Sequence, residues 1–443
     1  MFMRNIVISI AFQLRRLPRW LLPVVALYVA IFVVFVVRLD PDFGWHLQSG
    51  RAILHQGIPS HDIFTYTAAN FSWINHEWLS DIFIVGLYAL GGFTAVAAGF
   101  AFIWTAALIV ASRCARWPVL AVAVAAMLDT ITARPAAWTA LILAVVLLAV
   151  RRRVTWPLIP VFVLWANLHG GFVIGLMVLA AYAIRNRNYR WVLLGCITAT
   201  FINPYGPHVY VEIWRTLTDS ELRNNVVEWK PLAVGTLSGL YIVIYLLAGA
   251  TAGWRREFIL PSFFLFSAIS SMRQFPLFVV ASLGVVEAAF ERMEVFLAVK
   301  SGWRQYLLPL AALALVAAPV IKVIRHPDNQ APVAAVTALS TKPCTGNLYN
   351  DYDFGGYLIW KMPQTKVYID GRMPSWKLGG ESYMENWKRD LTDTVFRRTD
   401  FARYNIRCVM VRPSRRQIVR ELRADGWQFS VIDSQAILLR QPD

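Results

Sequence analysis

Long apolar runs separated by short polar or basic segments occupy the first three quarters of the chain. A membrane-spanning helix needs about 20 predominantly apolar residues, and fewer where its ends snorkel or the bilayer is locally thin. The pattern predicts about eleven spans, at roughly 20–38, 82–112, 117–132, 136–150, 155–168, 171–184, 190–202, 232–252, 257–271, 276–298 and 305–322. The preceding "MRNIVISIAFQLRRLPRW" is predicted to be an amphipathic lead-in rather than a cleaved signal, because Arg19 abuts the first apolar run and no small-residue cleavage site follows.

The chain after about residue 325 has a different pattern, in which short strand-like runs alternate with helical segments. The strand-like runs are "GNLYN", "KVYID", "RCVMVR", "WQFSVI" and "AILLRQ". The alternation predicts a small α/β domain with a largely parallel sheet at 325–443, after a helical membrane domain at 1–324. Cys344 and Cys408 both lie near predicted strands of this domain, and the sequence leaves open whether they form a disulfide.

The composition excludes an ordinary soluble protein. Hydrophobic residues make up 57% of the 443 residues, charged residues only 16%, and there are 18 Trp. A net charge of +16 would suggest nucleic acid as a partner of a soluble protein. Here, however, Lys and Arg form short clusters between apolar runs, which is the pattern that orients helices in a bilayer. We therefore expect membrane lipids and not nucleic acid around this chain.

The positions of the basic residues predict the orientation. With a cytoplasmic N-terminus, seventeen Lys and Arg up to residue 304 fall on the cytoplasmic side and seven on the opposite side. The seven are Arg38, Arg51, Arg134, Arg215, Arg223, Lys230 and Arg273. Since positive charge is retained inside, the N-terminus is predicted to be cytoplasmic. An odd number of spans then places residues 325–443 outside.

Under this topology the polar motifs between spans meet at the outer face. They are the first outer loop at 38–81, "ITARPAAW" at 131–138, "NLHGG" at 167–171, "NPYGPHVY" at 203–210, "EWKP" at 228–231 and "SMRQFP" at 271–276. Polar groups near a membrane are costly unless they pair or line a wet cavity. The sequence therefore predicts a single outward-facing site.

Acidic side chains and imidazoles are concentrated in the first outer loop. Asp42 and His46 are four residues apart and share a face if "DFGWHL" begins a helix. Farther on, "WINHEWLSD" supplies His76, Glu77 and Asp81, of which the last two also have helical spacing. The loop could thus bring carboxylates and imidazoles together at one membrane surface.

Three interpretations of this acidic loop remain open from the residues alone. Helix capping and interfacial anchoring are typical of Asp and Trp. A carboxylate in a partly desolvated cleft can act as a general base, because burial raises its pKa. Alternatively, Asp40, Asp42 and Glu77 could hold a divalent cation, for which carboxylate oxygens favour Mg²⁺ or Mn²⁺ over Zn²⁺. Spacing does not separate the last two interpretations.

Several motifs together resemble a known family. They are "LDPDFGWHLQSGRAILHQGIPSHDIFTYTAANFSWINHEWLSDI", "RPAAWT", "WANLHGGFVIG", "NPYG", "VVEWKP", "MRQFPLF", "NDYDFGGYLIW" and "VYIDGRM". This set resembles a large group of bacterial multi-span proteins that are similar to the GT-C superfamily of integral-membrane glycosyltransferases. The resemblance spans most of the chain, and the first loop, "NLHGG" and "DYDFGGYLIW" are its most distinctive parts.

The resemblance implies an enzyme of the bacterial inner membrane that transfers a sugar or glycan from a polyprenyl phosphate or pyrophosphate to an outer-face acceptor. In that superfamily an acidic residue of the first outer loop is the general base. Here the role falls on Asp42 or Asp40, and Asp42 is favoured because it begins the "DFGWH" turn and has His46 as a candidate partner. Many members carry an Asp-Glu pair where this chain has Asp-Pro-Asp, so the choice stays open.

Substrate-binding candidates lie on the same predicted side. Arg134, Lys230 and Arg273 are suited to neutralise a leaving lipid phosphate, with snorkelling to headgroups as the alternative for the two arginines. His169 lies beside two glycines, where backbone can approach a ligand closely. The imidazoles of His46 and His76 complete this set.

The predicted α/β domain adds two further candidates. Asp353, with Asp351, precedes Gly355 and Gly356, so these carboxylates either cap a helix or face the membrane cleft. Arg372 follows the strand-like "KVYID", at a position where open α/β sheets present ligand contacts. We expect this domain to recognise the acceptor.

Other functions fit the same pattern. They are a lipid-linked sugar flippase, a polysaccharide polymerase or ligase, and a non-catalytic protein of cell-envelope assembly. No repeat of hydropathy relates the two halves of the chain, which disfavours a transporter. A large outer domain beside an acidic first loop favours transfer at the surface. The sequence does not identify the sugar, nor whether the acceptor is glycan, lipid or protein.

Overall fold

A computed structural model describes residues 21–113, 116–233, 237–297, 304–325 and 331–442. Helices account for nearly all of the chain up to residue 325, and an α/β domain follows. The predicted amphipathic lead-in before residue 20 lies outside the described residues.

The N-terminal part is a bundle of apolar helices joined by short connections. Its helices are α1 (Leu21–Val37), α2 (Phe43–Gln56), α3 (Trp78–Ala111), α4 (Trp117–Met127), α5 (Ala136–Arg152), α6 (Leu158–Leu168), α7 (Phe172–Ala183), α8 (Arg187–Ala199), α9 (His208–Thr218), α10 (Ser220–Asn225), α11 (Leu237–Ala252), α12 (Ile259–Ser270), α13 (Phe275–Leu297) and α14 (Arg304–Arg325). Each apolar run predicted as a span contains one of them. The helices α2, α9 and α10 lie in the connections.

Length and apolarity qualify two helical segments of the described chain as membrane spans. They are Trp78–Ala111 and Met272–Arg292. Five shorter apolar helices accompany them, so the number of eleven spans stays a prediction. The 34-residue α3 is broken at Gly91 and Gly92, whose backbone leaves the helical region, and Gly92 has the positive φ of 63° that glycine tolerates without strain.

The C-terminal part is an α/β domain around a four-stranded sheet. Its strands are β1 (Asn347–Asn350), β4 (Ile406–Val411), β5 (Gln428–Ile432) and β6 (Ile437–Arg440), in the order β1-β4-β6-β5, with the short pair β2 (Lys377–Leu378) and β3 (Glu381–Ser382) apart. Its helices are α15 (Val333–Thr341), α16 (Gly355–Lys361), α17 (Tyr383–Thr392), α18 (Thr394–Arg403) and α19 (Arg416–Ala424). The α/β class expected for this tail is therefore present.

The prediction of a largely parallel sheet is wrong. Only β1 and β4 pair in parallel, whereas β6 is antiparallel to both β4 and β5. The cause is the connection between β5 and β6, which spans only residues 433–436 and is too short for the crossover that parallel neighbours require. The predicted strand "KVYID" contributes single parallel bridges from Val367 to Leu348 and Thr65.

The first outer loop packs into the C-terminal domain. Two hydrophobic cores exist, one within the bundle and one centred on residues 335–439, and Trp45, Phe71 and Trp73 of the first loop belong to the second. The backbones of α2 and α16 touch, since a Cβ on Gly44 would lie 1.8 Å from the carbonyl oxygen of Gly356. The loop that carries the candidate base is thereby held between bundle and domain.

A disulfide joins Cys344 to Cys408, with their Cα atoms 6.0 Å apart. It ties the segment before β1 to β4, the parallel neighbour of that strand. The pairing that the sequence left open is therefore present in the structure.

Candidate active site

A cavity of about 530 Å³ lies where the first loop, later connections of the bundle and the C-terminal domain meet. Four of the six motifs predicted to meet line it, namely those that contain Asp42, Arg134, Glu228 and Arg273, and the C-terminal domain adds Asp353 and Gly371. The motifs "NLHGG" and "NPYGPHVY" do not line it. Further charged residues in its wall are Asp129, Lys388 and Arg415. Side chains from distant parts of the sequence therefore form one polar cavity.

The two first-loop aspartates have different surroundings. The side chain of Asp40 is 1% exposed, and its Oδ2 accepts a hydrogen bond from Arg134 Nε at 2.7 Å while its Oδ1 accepts the backbone N–H of Asp42 at 2.9 Å. The side chain of Asp42 is 22% exposed to the cavity, and its Oδ2 lies 3.6 Å from Arg134 Nη1. Asp42 precedes α2 without a side-chain capping bond, so the capping interpretation fails for this residue.

These surroundings separate the acid–base properties of the pair. Burial raises the pKa of Asp42 to about 6, with Arg134 opposing the rise and Asp40 and Glu228 assisting it. Burial acts on Asp40 too, but the charge of Arg134 and the N–H of Asp42 outweigh it and lower the pKa of Asp40. Asp40 is therefore a fixed counter-ion, whereas Asp42 has the proton affinity suited to a general base near neutral pH.

Two arginines and one glutamate form the cationic side of the cavity. Arg134 Nη1 binds Glu228 Oε2 at 2.9 Å, and Arg273 Nη1 binds Glu228 Oε1 at 2.8 Å. The guanidinium of Arg273 also lies 5.3 Å from the centre of the Trp229 ring. Both predicted arginines thus belong to the cavity. Lys230 does not, since its exposed side chain lies outside the residues that line it.

The predicted pairing of His46 with Asp42 is wrong. His46 Nδ1 lies 2.6 Å from Asp81 Oδ1, and His46 Nε2 lies 3.9 Å from Glu77 Oε2. One turn of α2 separates His46 from Asp42 and brings it against the first turn of α3, where Asp81 lies, while Asp42 faces Arg134. Helical spacing was correct, but the partner comes from the neighbouring helix.

Three imidazoles surround the carboxylate of Glu77. His169 Nδ1 accepts the backbone N–H of Gly171 at 3.0 Å, so the ring proton is on Nε2, which lies 3.3 Å from Glu77 Oε1. Burial lowers the pKa of His169 to about 3 and keeps this ring neutral. Burial disfavours ionisation of Glu77, but His76, His169, His46 and Arg273 together lower its pKa to about 2. Glu77 is therefore an ionised hydrogen-bond acceptor.

Arg372 has a structural role that its position in the sequence did not indicate. Its Nη2 bonds Asp370 at 2.6 Å and Asp62 at 2.7 Å, and its guanidinium lies 4.5 Å from the centre of the Trp73 ring. The predicted ligand contact is mainly an ion pair that joins the C-terminal domain to the first loop. Its Nη1 has no hydrogen-bond partner among the described residues.

The acidic residues of "NDYDFGG" do not cap a helix, which was one of the two roles that the sequence left open for them. Asp353 pairs with Arg412 at 2.7 Å, and the fully buried Asp351 pairs with Arg415 at 3.1 Å. The turn that follows Asp351 has no side-chain capping bond. Asp353 does line the large cavity, which is the other role that the sequence left open for it.

Gly371 is a site residue that sequence reasoning missed. A Cβ at this position would lie 1.9 Å from Asp42 Oδ1, so only glycine lets the "IDGRM" segment approach the candidate base. Gly371 lies between Asp370 and Arg372 in the motif "VYIDGRM". Its position directly before the candidate Arg372 was the signal in the sequence.

We predict that Gly371→Ala displaces the Asp42 carboxylate and lowers kcat by roughly 100-fold, the order of loss expected for a misplacement of about 1 Å. Gly86→Ala is the matched control, because a Cβ on Gly86 meets no atom within 4 Å. Steady-state transfer assays on both variants measure the effect. Equal activity of the two variants would show that the close approach of Gly371 is unimportant.

The expectation of a divalent-cation site concerned Asp40, Asp42 and Glu77. Asp40 is bound to Arg134, and Glu77 is surrounded by imidazoles. Over the described ranges, no group of three or more His, Cys, Asp or Glu side chains is arranged to hold a metal ion. The donor set therefore does not fit such an ion, and the positive charge of this cavity comes from its own side chains, which include Arg134 and Arg273.

The chain combines a bundle of apolar helices with a C-terminal α/β domain, and the polar cavity lies where the two meet. The chain is similar in structure to ArnT from Cupriavidus metallidurans in the apo state, with a TM-score of 0.54 and 14% identity over 95% of this chain and 99% of that one. A likeness at this identity shows the fold alone, and that fold is the one that the resemblance seen in the sequence implied. No family model and no curated protein sequence matches the chain.

Proposed function

We propose that this protein is a membrane glycosyltransferase that transfers a sugar or glycan from a polyprenyl phosphate or pyrophosphate to an acceptor. The observation that carries the proposal is Asp42, a carboxylate with a pKa of about 6 that faces a 530 Å³ cavity also lined by Arg134 and Arg273. The fold shared with ArnT supports the class of reaction. In this proposal the enzyme is in the bacterial inner membrane, with a cytoplasmic N-terminus and residues 325–443 outside.

The chemistry follows from the arrangement of charges. Asp42 takes the proton of an acceptor hydroxyl as the oxygen of that hydroxyl attacks the anomeric carbon of the donor sugar. The bond from that carbon to the lipid phosphate oxygen breaks, and its electron pair leaves with the phosphate. Arg134 and Arg273 stabilise the charge on the departing phosphate. A positioned base of this kind contributes about 100- to 10,000-fold to the rate.

Glu228 binds both arginines in the structure described here. A donor phosphate carries the same charge sign and the same oxygen acceptors as this carboxylate. In the proposed function the phosphate therefore takes the place of Glu228 beside Arg134 and Arg273. Glu228 keeps the two cations together, at a low electrostatic cost, when no donor is bound.

Purified protein in nanodiscs, supplied with a polyprenyl-phosphate hexose labelled in the sugar, tests the proposal. We expect release of the polyprenyl phosphate together with labelled acceptor, or with free sugar when water is the acceptor. Movement of intact labelled donor across a vesicle membrane, with no glycosidic bond broken, would instead identify a flippase. The absence of both bond cleavage and movement would favour a non-catalytic role in envelope assembly.

A further inference from the structure

A second cavity, of about 130 Å³, adjoins the large one. The two share Asp42, Arg134, Leu222, Trp229, Arg273 and Gly371. Most of the remaining wall comes from the first loop and from Arg372, and includes Trp45, Trp73, His76 and Glu77. The candidate base thus faces two spaces of very different size.

Two buried hydrogen-bond donors in the wall of this small cavity lack partners. Trp45 is 7% exposed and Arg372 is 9% exposed, and neither the indole Nε1 nor the guanidinium Nη1 has a hydrogen-bond partner among the described residues. Buried donors are nearly always satisfied in folded proteins. A ligand with oxygen acceptors would satisfy both.

The two donors are held in place by their other contacts. The indole of Trp45 stacks on the His46 ring at 3.6 Å between centres. The guanidinium of Arg372 is fixed by Asp370 and Asp62 through its other nitrogens, and it lies 6.0 Å from the centre of the Trp45 ring. The two donors therefore belong to neighbouring side chains that are held by their other contacts.

The same wall supplies an acceptor and apolar surface. The Glu77 carboxylate, with His169 at 3.3 Å, offers oxygens to a hydroxyl donor. Trp45, Trp73 and Trp229 contribute indole surface. A group that fits this wall must accept hydrogen bonds from two donors, donate to a carboxylate and present a CH-rich face to indoles. A carbohydrate ring has all of these properties.

We infer that the small cavity binds the acceptor and that the acceptor is a carbohydrate. Its ring hydroxyls accept from Trp45 and Arg372 and donate to Glu77, while a further hydroxyl lies at Asp42. The inference rests on the proposed function, because it takes Asp42 as the base that faces the acceptor. A serine or threonine peptide would have to satisfy these groups through its backbone amides, and it presents no CH-rich ring face to the indoles.

Trp45→Phe is the central test variant, because it keeps an aromatic ring and removes only the indole N–H. Trp138→Phe is its matched control: Trp138 Nε1 also lacks a partner in the described chain, but its ring packs on Phe83 at 5.2 Å and lines neither cavity. Glu77→Gln is a second variant, which removes the carboxylate charge while keeping a hydrogen-bonding group.

Binding is measured on the full chain in nanodiscs, without donor, by ligand-observed NMR. The probes are methyl glycosides of a hexose, a pentose, a 6-deoxyhexose and an N-acetylhexosamine, together with an N-acetylated serine tripeptide amide. We expect saturable binding of at least one glycoside and none of the peptide. Loss of one hydrogen bond should weaken that binding by roughly tenfold in Trp45→Phe and Glu77→Gln, and Trp138→Phe should match the wild type.

Three outcomes would overturn the inference. They are absence of glycoside binding, equal binding by Trp45→Phe and Trp138→Phe, and binding of the serine peptide in place of a glycoside. Because no donor is present, these outcomes are independent of catalysis. Failure of the proposed function is a separate observation, namely a wild-type protein that leaves the lipid-linked donor intact.

Discussion

Asp42→Asn reduces sugar transfer by about 100- to 10,000-fold, the contribution expected of a positioned general base. The amide has the shape of the carboxylate but cannot take a proton from an acceptor hydroxyl. The fold should be unaffected, because Asp42 caps no helix and Arg134 keeps its bonds to Asp40 and Glu228. Initial rates of transfer, with donor affinity measured separately, check the expectation.

Asp129→Asn is the control for this substitution. Asp129 lines the same cavity, but its half-exposed side chain pairs with Arg38 at 3.4 Å and not with the cations of the site. Its activity should remain near that of the wild type. Asp40→Asn should give a milder loss than Asp42→Asn, since Asp40 acts through Arg134. Similar residual activity in Asp42→Asn and Asp129→Asn would show that Asp42 is not the base.

The same assignment predicts a pH dependence with a definite sign. Asp42 must be deprotonated to act as a base, and its pKa is about 6. Transfer by the wild type should therefore fall as the pH decreases through about 6 and should reach a plateau above it. The residual activity of Asp42→Asn should lack this acidic limb. A wild-type rate that is constant from pH 5 to 8 would contradict the assignment.

The positions of the helices were predictable because apolar runs of this length have few other stable arrangements. Every predicted span contains a helix, and four of the five strand-like runs of the tail are strands. Sheet direction was not predictable from composition, because the four-residue link between β5 and β6 determines it. The meeting of polar motifs at one face could be predicted by counting spans, because that count requires no detail of side-chain packing.

The partners of the site residues were beyond the reach of spacing. Helical periodicity indicates which side chains share a face, but not which neighbouring element meets that face. In the structure His46 pairs with Asp81 of α3, and Arg134 pairs with Asp40, which lies 94 residues away in the sequence. The difference between Asp40 and Asp42 depends on this one guanidinium, so the sequence could not choose between two aspartates separated by a single proline.

Arg134→Gln lowers both stability and transfer, because Arg134 serves two purposes. It neutralises the buried Asp40, and loss of one partner of a buried ion pair costs about 3–5 kcal/mol. It also faces the proposed position of the donor phosphate. The comparison is Arg398→Gln, which breaks the exposed pair with Asp425 at 2.6 Å and should leave the stability nearly unchanged.

The double variant Asp40→Asn/Arg134→Gln separates the two purposes of Arg134. Removing the Asp40 charge, which Arg134→Gln leaves buried without a partner, should restore most of the lost stability. The stability is measured as the midpoint of thermal unfolding of the full chain. Transfer should stay low, with a raised KM for the lipid donor, because no cation replaces Arg134 beside its phosphate. Recovery of activity in step with stability would mean that Arg134 acts only by neutralising Asp40, and that Arg273 alone serves the leaving phosphate.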